Sequence, residues 1–231
     1  MGGASPSARA DKFPMIEPMR VQDLGQCAYR EAWELQERAH QEVMDSGEET
    51  LFLVEHPPVI TFGRRPGVGQ HLLASEPYLA EMGVEVVQSD RGGDITFHGP
   101  GQIVAYPIVR LADHGLSVSG YVHCLEKIAS ATLGDFGVMA QADPSAIGVW
   151  ADDHGTLAKV CAIGVRIRRG VSLHGLALNV TTDLRYFDLI VPCGLHGRKA
   201  TSLQRILGQQ CPPMESVKQR LIAHATKAFA R

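Results

Sequence analysis

Three stretches of the chain combine side chains that do chemistry with spacings that bring them to bear. In Thr156 to Arg169, strand alternation puts Leu157, Lys159, Cys161, Ile163, Val165 and Ile167 on one face and Arg166 and Arg168 on the other. A lysine on an apolar face either snorkels to water from a strand end, or is desolvated and able to exchange protons near neutrality or pair with a thiolate. The alternation is compatible with both. In Val191-Pro192-Cys193-Gly194 a proline and a glycine set a thiol on a turn where it can meet substrate, although a lone cysteine can equally be a small buried hydrophobe. Cys161 competes for the nucleophile's role, since it lies two residues beyond Lys159, about 6 to 7 Å along the strand. The third stretch, Arg91 to Gln102 (RGGDITFHGPGQ), has glycines that let backbone N–H groups approach a ligand, with Arg91, Thr96 and His98 adding side-chain hydrogen bonds.

Other chemistries find less footing. Neither GxGxxG nor GxxxxGK[ST] occurs, and Gly63 to Gly69 (GRRPGVG) lacks the spacing and the lysine of a phosphate loop. The ten histidines form no HExxH or HxH cluster, so no metal is expected. Five cysteines without a CxxC fit a reducing compartment rather than a disulfide framework, and Cys27, Cys124 and Cys211 read as structural. A formal net charge of -3 disfavours nucleic acid as a partner. No stretch has the length of a membrane span, and Met1 to Pro14 has no signal-peptide core. The expectation is a cytoplasmic protein with a disordered tail over residues 1–14 and one domain over 15–231.

The elements that must position these residues follow from periodicity. Ala28, Ala32, Leu35, Ala39 and Val43 predict a long helix that Gly47 stops, and Ser117 caps a second whose apolar positions run from Val118 to Phe136. Thr50 to Glu55 and Val59 to Phe62 read as strands interrupted by His56-Pro57-Pro58. A short helix over 75–82 with Ser75 as its cap precedes a strand over 84–88, and Ser89 to Pro107 reads as loop and hairpin. Strands over 147–152, 156–169 and 171–180 form an antiparallel meander, and a helix starts near Met214. Together they predict a single α+β domain with a largely antiparallel or mixed central sheet flanked by helices.

Taken in order along the chain, Arg91 to Gln102, Lys159 to Gly164 (KVCAIG), Arg166 to Asn179 (RIRRGVSLHGLALN) and Val191 to Gly194 (VPCG) resemble the octanoyltransferases of lipoate biosynthesis. The likeness runs from about Val21 through Leu207 and takes in Glu55-His56-Pro57 and Gly63-Arg64-Arg65. It implies a fold similar to that of lipoate-protein and biotin-protein ligases. It also implies transfer of an octanoyl or lipoyl group, without a cofactor, from the thioester of acyl carrier protein to a lysine of a 2-oxoacid dehydrogenase lipoyl domain or glycine-cleavage H protein. On this resemblance Cys193, rather than Cys161, carries the acyl thioester, and Lys159 lowers the pKa of that thiol and relays protons. The implied substrate cradle is Arg91, Gly92, Gly93, Asp94, Ile95, Thr96, Phe97 and His98, with Ala162, Ile163 and Gly164 and with Gly175, Leu176 and Ala177, where glycine and alanine leave room for an eight-carbon chain. His98 either orients a loop, touches the acyl carbonyl or is structural, and Asp94 stands where the family varies. Arg64, Arg65, Arg166, Arg168 and Arg169 are available to steer an acidic carrier protein, with a solvated strand face as the plainer reading of Arg166 and Arg168. The rival readings are an ATP-dependent lipoate or biotin ligase, which has no need of Cys193, and an idle module that binds acyl or carrier protein.

Overall fold

Proline and glycine divide the strands between two sheets. The computed structural model describes residues 19–191 and 199–230. The large sheet contains β1 (Arg20–Gln26), β2 (Thr50–Glu55), β6 (Gln102–Ile108), β7 (Ala140–Ala142), β8 (Val149–Asp153), β9 (Thr156–Arg168) and β10 (Val171–Asn179), in the order β1-β2-β6-β10-β9-β8-β7. The small sheet contains β3 (Val59–Phe62), β4 (Glu85–Gln88) and β5 (Ile95–His98), in the order β4-β3-β5. His56-Pro57-Pro58 is therefore more than a break in one strand, because β2 and β3 on either side of it belong to different sheets. Gly99-Pro100-Gly101 returns the chain from β5 to β6 in the same way, so the hairpin expected across 89–107 does not form. The sheets are mixed: β1 runs parallel to β2 and β4 parallel to β3, while the meander β8-β9-β10 is antiparallel as its turns predicted.

Helices cover both faces of the large sheet. Helix α1 (Tyr29–Asp45) lays Ala32, Ala39 and Val43 against Phe52, Val54, Val104, Tyr106 and Ile108. On the other face α3 (Val118–Gly134) and α5 (Met214–Ala228) enclose Leu51, Leu53, Ile103 and Ala105. Burial on both faces explains why β2 reads as a continuous apolar run rather than an alternating one. Ser117 Oγ accepts from Gly120 N at 3.0 Å and starts α3 as expected. Ser75 stands at the start of α2 (Glu76–Glu81), but its side chain makes no capping bond. The short α4 (Leu203–Leu207) leads to α5, which is tied to β1 by Lys218 Nζ and Asp23 Oδ2 at 3.0 Å.

One irregularity changes the reading of β9. Val149 pairs with Cys161 and Trp150 with Lys159, so Val160 is one residue more than β8 can match. Val160 and Cys161 both enter the α3/α5 core. The bulge turns Lys159 off the face that strict alternation gave it, away from Cys161 and onto Trp150, whose ring centre is 4.8 Å from Nζ. Beyond Cys161 the strand has no β8 partner, and that open edge receives the glycine-rich turn, with Gly92 N donating to Val165 O at 2.9 Å.

Candidate active site

The glycine-rich turn, the β9 edge and the residues before α2 enclose a cleft of about 710 Å³. It is lined by Arg65, His71, Gly92, Gly93, Asp94, Val122, Ser145, Ala146, Ile147, Lys159, Ile163, Gly164 and Val165. A narrower inner cavity of about 50 Å³ shares Gly93, Asp94, Lys159, Ile163 and Gly164 with the cleft and continues to Tyr29, Val104, Tyr106 and His174. Lys159 thus stands where the two hollows meet. Its Nζ donates to Ile147 O at 2.9 Å, which directs the ammonium along the cleft wall.

Of the implied cradle, Arg91, Gly93, Asp94, Ile95, Thr96, His98, Ala162, Ile163, Gly164, Gly175, Leu176 and Ala177 line the inner cavity, and Gly92 lines the cleft. Phe97 lines neither. It belongs to the core of the small sheet, stacked on Tyr186 with ring centres 4.5 Å apart. Two of the glycines serve backbone approach rather than room for a chain. A Cβ on Gly175 would collide with Ala105 O, and one on Gly164 would stand 3.0 Å from Gly92 O. Arg91 is buried and braces β3, its Nε donating to Thr61 Oγ1 at 3.1 Å and its Nη2 to Thr61 O at 2.6 Å. Arg166 is ion-paired with Asp90 and Arg168 with Glu37, so neither presents an unpaired charge to a carrier protein.

Cys193 lies outside the described residues, but the chain on either side of 192–198 is fastened to the cleft. Val191 N donates to the carbonyl of His71 at 2.8 Å, and Lys159 N donates to the carbonyl of Lys199 at 2.9 Å. Both of those cleft-lining residues are thus bonded to a flank of the segment. Cys161 is fully buried, which pushes its thiol up to about 12 and removes it as a thiolate nucleophile near neutrality. Burial raises Cys27, Cys124 and Cys211 as well.

Polar aromatic residues that the sequence did not group together line the inner cavity, with His56 packed behind them. Tyr29 is edge-on to His56 and stacked on His98 and His174, with ring centres 5.4, 5.9 and 6.5 Å away. His56 Nδ1 donates to Cys27 O at 2.7 Å, and Tyr106 OH donates to His56 Nε2 at 2.8 Å. Burial pulls His56 down to about 4 and lowers His98 and His174 too. His98 Nδ1 donates to Gln102 Oε1 at 2.7 Å, and Gln102 Nε2 donates to Asn179 Oδ1 at 2.9 Å, so His98 is a neutral member of a network joining β5, β6 and β10. His174 Nε2 donates to Asp90 Oδ1 at 2.7 Å. The available signal for His174 was a single histidine inside an apolar strand, a pattern that a satisfied core histidine also produces. Among the described residues no group of three or more His, Cys, Asp or Glu side chains converges on a metal position, and no helix is long and apolar enough to cross a membrane.

Comparison with known proteins agrees with this geometry. The model of the lipoyl protein ligase A/B catalytic domain matches residues 28–226. An octanoyltransferase of Roseiflexus sp. (strain RS-1) is 46% identical over 217 residues, covering 93% of this chain and 88% of that protein. One from Chloroflexus aurantiacus is 47% identical over 221 residues, covering 93% and 96%. Among solved structures, a lipoate-protein ligase A bound with ATP superposes with a TM-score of 0.77 at 14% identity, covering 92% of this chain and 86% of that one, which speaks for the fold alone. With near half of its residues shared with octanoyltransferases along almost its whole length, the chain belongs to the lipoyl protein ligase A/B catalytic domain family and is an acyltransferase of the octanoyltransferase kind.

Proposed function

We propose that the protein transfers an octanoyl group from the thioester of acyl carrier protein to a lysine of lipoyl domains or of glycine-cleavage H protein, through an acyl thioester on Cys193. The observation that carries this reading is the position of Lys159 at the junction of cleft and inner cavity, bonded through its backbone to Lys199 on one flank of the Cys193 segment. His71 holds the other flank at Val191. In this scheme the Lys159 ammonium stabilises the Cys193 thiolate, which attacks the donor carbonyl; the carrier thiolate leaves and takes a proton from Lys159. The acyl chain lies along the cleft with the inner cavity, too small for eight carbons by itself, taking part of it, and the acceptor amine enters by the open side of the cleft. Arg65 lines the cleft while also pairing with Asp94, and exposed Arg64 and Arg169 are the other basic residues available to an acidic carrier.

Intact-protein mass spectrometry tests the scheme. Mixing the purified chain with octanoyl-carrier protein in the absence of ATP should add one octanoyl group, and Cys193→Ser should take up none. No adduct on the wild type, together with acceptor modification that requires free acid and ATP, would assign the chain to ligase chemistry instead.

A further inference from the structure

We infer that His71, backed by Asp94, is a second proton acceptor of the transfer reaction, reserved for the acceptor lysine. The inference rests on the acyl-enzyme route proposed above and deepens it.

Proton balance creates the need. A lysine acceptor arrives as an ammonium, since its ordinary pKa is about 10.4. When it attacks the acyl-enzyme, the C–N bond forms, the C–S bond breaks, the enzyme thiolate departs and two protons leave the nitrogen. Lys159, neutral after protonating the carrier thiol in the first half-reaction, takes one and so restores the thiolate and ammonium pair. The other proton must go elsewhere, because the Lys159 amine has room for one.

The cleft holds a group suited to it. His71 lines the same cleft as Lys159 and ends the short 3-10 turn Val68–His71. Its Nδ1 bonds Asp94 Oδ1 at 2.7 Å. A carboxylate only accepts, so the proton of that bond belongs to Nδ1, and in the neutral ring Nε2 carries the lone pair that receives another. Asp94 is held still: its side chain is 1% exposed, its Oδ1 also accepts from Ile95 N at 2.8 Å, and Arg65 Nη1 donates to its Oδ2 at 3.4 Å. A fixed carboxylate behind an imidazole orients the ring and stabilises the imidazolium that forms when the proton arrives. The His71 side chain is 27% exposed, enough to pass that proton on to water. The charged groups around it are Asp94 beside it, Arg65 paired with Asp94, and Lys159, which lines the same cleft. Asp94 is a positioning residue, and His71 is the group that meets the substrate proton.

Single-turnover kinetics on the full chain separates the steps. For His71→Gln, acylation by octanoyl-carrier protein should stay within a factor of a few of wild type, whereas deacylation by a lipoyl domain near neutral pH should slow about 100-fold. The deficit should shrink at alkaline pH, where the acceptor amine is already neutral. Hydroxylamine, a nucleophile uncharged at neutral pH, releases one proton fewer and should deacylate wild type and variant alike. Asp94→Asn, which keeps the acceptor for Ile95 N, should show the same selective loss at a smaller scale, about 10-fold. Equal losses with hydroxylamine and lipoyl domain, equal losses in acylation and deacylation, or no loss at all would overturn the assignment. Absence of any acyl-enzyme on the wild type would instead overturn the route on which it rests.

Discussion

At Lys159 a single inserted residue decides which groups the amine can reach. Alternation along β9 groups Lys159 with Cys161, yet the bulge at Val160 buries the thiol in the α3/α5 core and brings the amine against Trp150 and Ile147. Cys161, raised to about 12, is no thiolate partner for Lys159; the partner proposed above is Cys193, whose segment is flanked by Lys199, bonded to the Lys159 backbone. Lys159→Ala should therefore slow alkylation of Cys193 near neutral pH and move the rate profile toward higher pH, a change of tenfold or more following the thiolate fraction. An unchanged profile in a stopped-flow alkylation series would remove the role of Lys159 in activating the thiol. That Lys159, Arg91 and Asp94 would gather at one hollow was legible in the sequence, but the face of Lys159 was not, because alternation carries no mark of the extra residue. The placement of Tyr29, Tyr106, His71 and His174 was not legible, because each is held by a neighbour distant in the chain, such as Asp90 for His174 or Asp94 for His71.

Among the elements, those with a sustained period were legible: α1, α3 and the β8-β9-β10 meander form close to their expected bounds. Sheet membership was not. Alternation reports which residues share a face and says nothing of the neighbour strand, so the changes of sheet at Pro57-Pro58 and at Gly99-Pro100-Gly101 left no periodic signature. The glycine positions also carry a different meaning in three dimensions. At Gly175, in β10, the space for a side chain is occupied by the Ala105 carbonyl of β6, so Gly175→Ala has to push two paired strands apart. A loss of about 1 to 3 kcal/mol is expected from such overpacking, read as a lower urea midpoint with an unchanged slope. A variant as stable as wild type would mean that the strands yield there at no cost and that glycine is kept for another reason.

For the molecule as a whole, three buried neutral histidines make stability depend on acid. His56 titrates at about 4 when folded against 6.5 when free, and His98 and His174 are lowered in the same direction by burial. Above pH 6.5 neither folded nor unfolded chain protonates His56, and its contribution is complete. As pH falls from there toward 4, the unfolded chain binds protons that the folded chain refuses, and stability declines. His56 alone should cost about 3 kcal/mol over that window, and the other two add to it. Denaturant unfolding at neutral pH and at about pH 4 measures the difference, and a flat profile would show that these rings are hydrated rather than sealed.

The contact between Gly92 and Val165 has a further consequence for how the molecule opens. That hydrogen bond, together with the tight approach of Gly164 to Gly92 O, attaches the turn leading into the small sheet to the bare edge of the large one. Arg91, on the same turn, is bonded to Thr61 in β3. The two sheets are therefore expected to open as one cooperative unit in amide exchange, with β3 and the distal half of β9 sharing a common opening free energy; separate exchange rates for the two would show that the contact does not couple them. On that expectation Asp94, on the approach to the small sheet, and Lys159, on the large one, hold their places around the cleft together.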